Sequence, residues 1–378
     1  MDSILCGMRL DGISAYAPEQ VWSNARVAAR LRLERMRLRA AGAGRFDPEE
    51  AKLFETSDRW VRRFIGFRER RFCREGEGTA DLAARAGRQL LERSGASPGD
   101  IDAIVVGSVT PSYLFSPPDA ALLQRDLGIP VWQGPAPREI MGADVSLACS
   151  SWVTSLMLCY ALIRAGMARR ILLVGADRMS ATINWRDRGF ATVLGDAGTA
   201  TLCTAVPEPE DWFRPSQFWS WLDGGQAEII LTPAGGSRRP TLTPQDIAEG
   251  KNRLAMDGAA VRNILVPFVG GPAIDAALAK AGWRLEDLDL VTLHEANLTL
   301  NAAILKTWRE RGFRGRVLDA DGRFGNTTSA SIPLALALNP GELSIGRKFG
   351  LFGFGGGLSA CFALGTIRHP LPAWTNLA

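Results

Sequence analysis

The sequence predicts an internally duplicated α/β fold, and three observations lead there. At 378 residues the chain is longer than one small core requires, so two lobes or one large duplicated unit is expected. Asp100-Ile101-Asp102-Ala103-Ile104-Val105 resembles Asp287-Leu288-Asp289-Leu290-Val291-Thr292 at an offset of 187 residues, about half the chain. Short, fully apolar runs bounded by glycine also recur. Ile171–Gly175 and Gly198–Leu202 are echoed by Gly350–Gly353 and Ala360–Leu364, a pattern that suits strands covered on both faces by helices.

A helix-like stretch precedes each copy of the repeat, Ala80–Ser94 before the first and Ala273–Gly282 before the second. The join is expected around Val206–Glu210, where Pro207 and Pro209 interrupt the pattern, giving an N-terminal half 1–206 and a C-terminal half 207–378. Two segments lie outside the repeat. In Arg26–Arg45, seven arginines (26, 30, 32, 35, 37, 39 and 45) interleave with Leu31, Leu33, Met36 and Leu38. This pattern fits a solvated helix face or a docking surface for an acidic partner. Trp212, Trp219 and Trp221 with Phe213 and Phe218 point to core packing or an interface, with the wall of an acyl pocket as a further reading.

Hydrophobic residues at 46% and charged residues at 22% match a globular protein and exclude fibrous or disordered classes. Five of the 44 basic residues are lysines (Lys52, Lys251, Lys280, Lys306, Lys348) and the rest arginines, with a formal net charge of +4. The basic balance suits an acidic or phosphate-bearing ligand. With no block of consecutive like charge, nucleic acid is not expected as a partner. No apolar run approaches the length of a membrane span and the N-terminus lacks a signal pattern, so a cytoplasmic protein is expected. The six cysteines are dispersed, and no metal site is expected.

The strongest chemical signal is Asp144-Val145-Ser146-Leu147-Ala148-Cys149, followed by a helical run to Gly166. A thiol at a helix N-terminus meets unpaired backbone N–H groups, which are expected to lower its pKa. The second repeat's strand runs into His294-Glu295-Ala296-Asn297, at a strand's carboxyl end where α/β proteins gather reactive groups. Only two histidines exist, and His369 lies in a tail, so imidazole chemistry falls to His294. Gly325-Asn326-Thr327 then offers an amide before a helix, and Gly353-Phe354-Gly355-Gly356-Gly357 lets backbone approach a ligand closely. Singly, each has a plainer reading: a buried cysteine, a satisfied core histidine, a helix cap, a tight turn.

Together and in this order the motifs resemble the β-ketoacyl-acyl carrier protein synthase III family of the thiolase superfamily. The resemblance spans nearly the whole chain and extends to Gly195-Asp196-Ala197-Gly198, Asp187-Arg188-Gly189 and Trp60 with Gly66-Phe67-Arg68-Glu69-Arg70. It implies a thiolase-like, five-layer αβαβα fold and an acyltransferase that works as a ketosynthase. In it Cys149 accepts an acyl group from a thioester, and the backbone N–H groups of Cys149 and Gly356 form the oxyanion hole. His294 and Asn326 donate to the carbonyl of a malonyl- or β-ketoacyl-thioester as it condenses with the acyl-cysteine. The resemblance further implies no cofactor, with acyl-coenzyme A or a phosphopantetheinyl acyl carrier protein as substrate. It places Trp60 and Arg188 around an adenine or at the pantetheine entrance, and it implies a homodimer in which Phe115 reaches the neighbouring subunit's acyl pocket.

The departures are specific. Phe64 stands where the family has an arginine four residues after the tryptophan, and Thr299 where it has one after the H-x-A-N motif. Carrier-protein docking is therefore expected to use Lys306 and the insertion, through Arg32, Arg35 and Arg39. Extra loops around Val131–Ile140 and Trp212–Gly225 suit a secondary-metabolite pathway, such as dialkylresorcinol or pyrone formation, better than fatty-acid initiation. Two alternatives stay open: acyl transfer to oxygen or nitrogen without condensation, and a non-catalytic partner subunit.

Overall fold

The structure, a computed structural model, describes residues 6–40 and 46–377. Two five-strand runs repeat one another in order and direction. The first is Cys6–Tyr16, Asp196–Pro207, Arg170–Arg178, Ala103–Gly107 and Met141–Val145; the second is Phe218–Leu222, Ser359–Thr366, Lys348–Gly355, Leu290–Leu293 and Arg316–Val317. In each run the first three strands are antiparallel neighbours and the remaining pairs are parallel. The sequence echoes at Ala103 and Leu290, Ile171 and Gly350, and Gly198 and Ala360 lie in corresponding strands.

Helices Thr79–Ser94 and Asp119–Asp126 cover the outer face of the first sheet, and Ser151–Arg164 and Ser331–Leu338 lie between the sheets. Gly258–Phe268, Ile274–Ala281 and Leu298–Glu310 cover the second. The result is a five-layer αβαβα arrangement whose layers enclose apolar cores, with a further apolar cluster around Val27, Leu31, Val61 and Phe67. Side-chain pattern accounts for the layering. Thr79–Ser94 buries Ala83, Ala86, Leu90 and Leu91 on one face and ends at Gly95, whose φ of 72° a glycine adopts without strain. Ser331–Leu338 is apolar all round and is buried on every side except at its last residue.

Two features depart from the sequence-based expectation, and the two segments outside the repeat each take one of the forms expected for them. Ala373–Thr375 pairs in parallel with Cys6–Tyr16, so residues beyond 207 complete the first half's sheet. Gly258–Ala281 runs as one helix, through a π-turn, that is long and apolar enough by length and composition to cross a bilayer, correcting the expectation that no apolar run approaches that length. Its Val261, Leu265, Val269, Ile274 and Leu278 belong to the core under the second sheet. The arginine-rich insertion forms the helix Asn24–Ala40, with Arg45 outside the described residues; Val27 and Leu31 dock it while Leu33 and Met36 are exposed. The tryptophan tract is core packing: Trp212 packs edge-on to Phe349, and Trp221 lies 4.2 Å from Phe268 between ring centroids.

Candidate active site

Cys149 sits in a tight turn between the strand Met141–Val145 and the helix Ser151–Arg164. Ala148 adopts a φ of 46°, the left-handed region that a non-glycine residue enters only when held. The turn is held by Ser151, whose Oγ accepts from the N–H of Leu147 (2.8 Å) and donates to the carbonyl of Ala148 (2.6 Å). Asp144 caps the neighbouring helix by accepting from the N–H groups of Asp119 and Ala120, at 2.7 and 2.9 Å. Gly355 packs so closely on the nucleophile that a Cβ there would lie 2.8 Å from its Sγ.

The backbone N–H groups of Gly356 and of Cys149 itself act to lower the pKa of the thiol. Their effect is outweighed. Burial, with the charge of Asp177 adding to it, pushes the Cys149 thiol up to about 12. This corrects the expected lowering: the thiol opens to the cavity, yet its apolar surroundings disfavour the thiolate more than the helix N-terminus favours it. At neutral pH the resting residue is a thiol.

His294 follows the strand Leu290–Leu293 and is fully buried, which drives its pKa down to about 3 and keeps the imidazole neutral. Its Nδ1 lies 2.7 Å from Ser331 Oγ, which also lies 2.8 Å from the carbonyl of Thr328. The hydroxyl has one proton to give. Donated to Thr328, it leaves Ser331 to accept from Nδ1–H, and Nε2 carries a lone pair; donated to Nδ1, it places the imidazole proton on Nε2. Nε2 has no partner among the described residues. The donor role expected for Nε2 thus belongs to one of two tautomers, with Ser331 able to serve both. Asn297 of the same motif caps the helix Leu298–Glu310.

Asn326 is held on both sides of its backbone, its N–H donating to Val193 O at 2.7 Å and its carbonyl accepting from Gly195 N at 3.0 Å. Its Oδ1 accepts from the N–H of Thr328 at 2.8 Å and its Nδ2 donates to Ala296 O at 3.3 Å, which leaves the second N–H of the amide for a ligand. Cys149, Asn326, Gly355 and Gly356 line one cavity of about 900 Å³. Its walls are mostly apolar, with Phe190, Leu254, Met256, Val261 and Leu265 among them, and Arg63 and Phe64 also line it. The loop 227–232 contributes Ile230 and Leu231 to the wall, a role the sequence reading had offered to the tryptophans. Glu295, beside His294, is buried and pushed up to about 8 by desolvation, its Oε1 accepting from Ala320 N at 2.6 Å.

The structure brings Cys149, Gly356 and Asn326 to the cavity, with His294 immediately behind Phe354, its ring 6.0 Å away between centroids. The remaining expected residues lie outside it. Arg188 stacks directly on Trp60 at 4.4 Å, leaving no gap for an adenine between them; Gly189 and Phe190, next in sequence, are the ones that line the cavity. Phe115 is 78% exposed and far too open to line this chain's own pocket. Arg35 is engaged with Glu55 at 2.8 Å and Lys306 faces Glu310 at 3.9 Å, while Arg32 and Arg39 are exposed. Among the described residues no His, Cys, Asp or Glu cluster could hold a metal ion.

Residues 143–218 match the family model described as 3-oxoacyl-[acyl-carrier-protein (ACP)] synthase III, and residues 278–366 match its C-terminal counterpart. The β-ketoacyl-[acyl-carrier-protein] synthase III of Aliarcobacter butzleri is 30% identical over 363 residues, covering 94% of this chain and 98% of that protein. The synthase III of Roseiflexus castenholzii is 34% identical over 313 residues, covering 82% and 89%. The crystal structure of 3-oxoacyl-(acyl carrier protein) synthase III from Pseudomonas aeruginosa superposes with a TM-score of 0.78 at 28% identity, over 97% of this chain and all of that one.

Proposed function

Because the chain belongs to the 3-oxoacyl-[acyl-carrier-protein] synthase III family of acyltransferases, we propose that it is a ketosynthase that loads an acyl group on Cys149 and extends it by Claisen condensation. One observation carries the reading: the thiol of Cys149, the backbone of Gly356 and the side-chain amide of Asn326 line the same apolar cavity. The substrates are acyl thioesters of coenzyme A or an acyl carrier protein.

In loading, the Cys149 sulfur attacks the thioester carbonyl and the N–H groups of Cys149 and Gly356 receive the oxyanion. Collapse expels the donor's thiolate, which takes up the proton that Cys149 gives away. Because the resting thiol is protonated, this proton must leave as the sulfur–carbon bond forms. In condensation the malonyl-type thioester loses carbon dioxide, and the resulting enolate oxygen lies against Asn326 Nδ2 and the Nε2–H tautomer of His294. Ser331 serves that tautomer by turning its hydroxyl from Thr328 to Nδ1. The enolate carbon attacks the acyl-cysteine, forming the new carbon–carbon bond and releasing the Cys149 thiolate.

The test is intact-protein mass spectrometry with acyl-coenzyme A and acyl-carrier-protein donors, followed by product analysis with a malonyl thioester. An adduct is expected on the native protein and absent from Cys149→Ala. Asn326→Asp should load normally and lose condensation by roughly 100-fold or more, the scale of one lost transition-state donor. Full condensation in that variant would overturn the assignment of roles, and acyl transfer to an oxygen or nitrogen acceptor with no carbon–carbon product would replace the ketosynthase reading.

Two assembly features belong to the same proposal. The exposed Tyr113, Leu114 and Phe115, together with the edge strand Met141–Val145, support a homodimer, to be checked by sedimentation of native protein against Phe115→Asp. Arg32 and Arg39 support docking of an acidic carrier protein, and reversing both charges should raise KM for carrier-borne substrates only.

A further inference from the structure

Asp177 lies near the end of the strand Arg170–Arg178, with no solvent exposure. Its Oδ1 accepts from Ser108 Oγ (3.0 Å), Val109 N (2.8 Å), Thr110 N (3.0 Å) and Thr110 Oγ1 (2.8 Å). Its Oδ2 accepts from Thr328 Oγ1 (2.5 Å) and Ser329 N (3.0 Å). One carboxylate thus ties the loop after Ala103–Gly107 to the segment that follows Asn326, across the two halves.

Thr328 has a φ of 46°, a conformation that a β-branched residue keeps only when its surroundings impose it. In that conformation both of its peptide groups are used by the site. Its N–H fixes Asn326 Oδ1 at 2.8 Å, and its carbonyl receives Ser331 Oγ, the partner of His294 Nδ1. Cys149 is positioned separately, by the turn at Ala148, and Asp177 acts on it only through its charge, which raises the thiol.

We propose that Asp177 is a positioning residue for carbon–carbon bond formation: by holding Thr328 in its left-handed turn, it sets the orientation of both Asn326 and His294. This inference rests on the condensation reading above. It separates the two half-reactions, since acyl loading does not pass through Thr328.

Asp177→Asn tests it, because the amide keeps the size of the side chain but replaces one acceptor oxygen with a donor. Loading of Cys149 should be no slower than in the native protein, while kcat for condensation falls by about 30-fold or more with little change in KM, as expected when reacting groups lose alignment. Adding Thr328→Gly, which adopts positive φ without strain, should recover about tenfold of that loss through the coupling of the two sites. Loss of loading and condensation by the same factor, or a double variant no faster than Asp177→Asn, would overturn the proposal. If Asp177→Asn does not fold, Thr328→Val should lose condensation selectively while Thr328→Ser retains it; equal loss in the pair is the overturning result. Native protein assayed alongside separates the two levels: failure to condense there removes the ketosynthase reading and this inference with it, whereas a condensing native enzyme whose variants lose both half-reactions removes only the role of Asp177.

Discussion

The two halves share strand order and direction, yet the ends of their matching strands do opposite work. Asp177 lies six residues beyond Ile171, the partner of Ala103, and Gly355 lies six residues beyond Phe349, the partner of Leu290. The duplication therefore places a buried carboxylate in one half where the other has no side chain. Gly355 must be bare because Cys149 occupies the space, and Asp177 is filled because two segments, 108–110 and 328–329, converge on it. The first half supplies the nucleophile and an anchoring anion. The second supplies the imidazole, the amide and the backbone of Gly356. What the repeat conserves is backbone position, and chemistry is divided between the copies.

The largest effect should come from erasing the difference at Gly355. Gly355→Ala puts a methyl group 2.8 Å from the sulfur, and the resulting displacement should slow acyl loading by roughly 100-fold, read as the rate of adduct formation by mass. Loading at the native rate would mean that the close approach is incidental. A smaller effect follows from the buried thiol. Because its pKa is raised, the thiolate fraction grows with pH throughout the accessible range, so alkylation of Cys149 by iodoacetamide should rise about tenfold per pH unit from 7 to 9 without a plateau. A plateau near pH 7 would place the helix N-terminus above burial in setting the thiol. The smallest effect lies beside His294. Glu295 is held protonated up to about pH 8, whereas in the unfolded chain it ionises near 4.5. The unfolded state therefore binds fewer protons than the folded state between these values, and the contribution of Glu295 to stability falls as pH rises from 4.5 to 8. Glu295→Gln should remove that dependence and raise Tm at pH 8 by about 3 °C.

The central strands at Ile171–Gly175, Gly198–Leu202, Gly350–Gly353 and Ala360–Leu364 were legible because those runs are short, apolar and accompanied by glycine, and the duplication was legible in Asp100–Val105 and Asp287–Thr292. Cys149, His294 and Asn326 were legible because each stands in a short motif at an element boundary. Asp177 was not. In sequence it is one acidic residue closing an apolar run, and its partners come from positions 108–110 and 328–329, which only the fold brings together. Ser331 escaped for the same reason, being one hydroxyl among several in Thr327–Ser331. The direction of the Cys149 shift was misread because a helix N-terminus can be seen in sequence and burial cannot. Trp60 and Arg188, paired by motif, do meet in the fold, the guanidinium packing on the indole face.

The strand Ala373–Thr375 gives the chain a mechanical property. It lies parallel to Cys6–Tyr16, through Ile13–Ala15, and on the far side that strand is bonded along its length to Asp196–Pro207. Tension applied between residues 6 and 377 pulls two parallel neighbours in opposite directions along their axes. The bridges between them are then loaded together in shear instead of opening one at a time. The second half cannot be drawn out from that end without first stripping a strand from the first, so the two copies resist extension as one body.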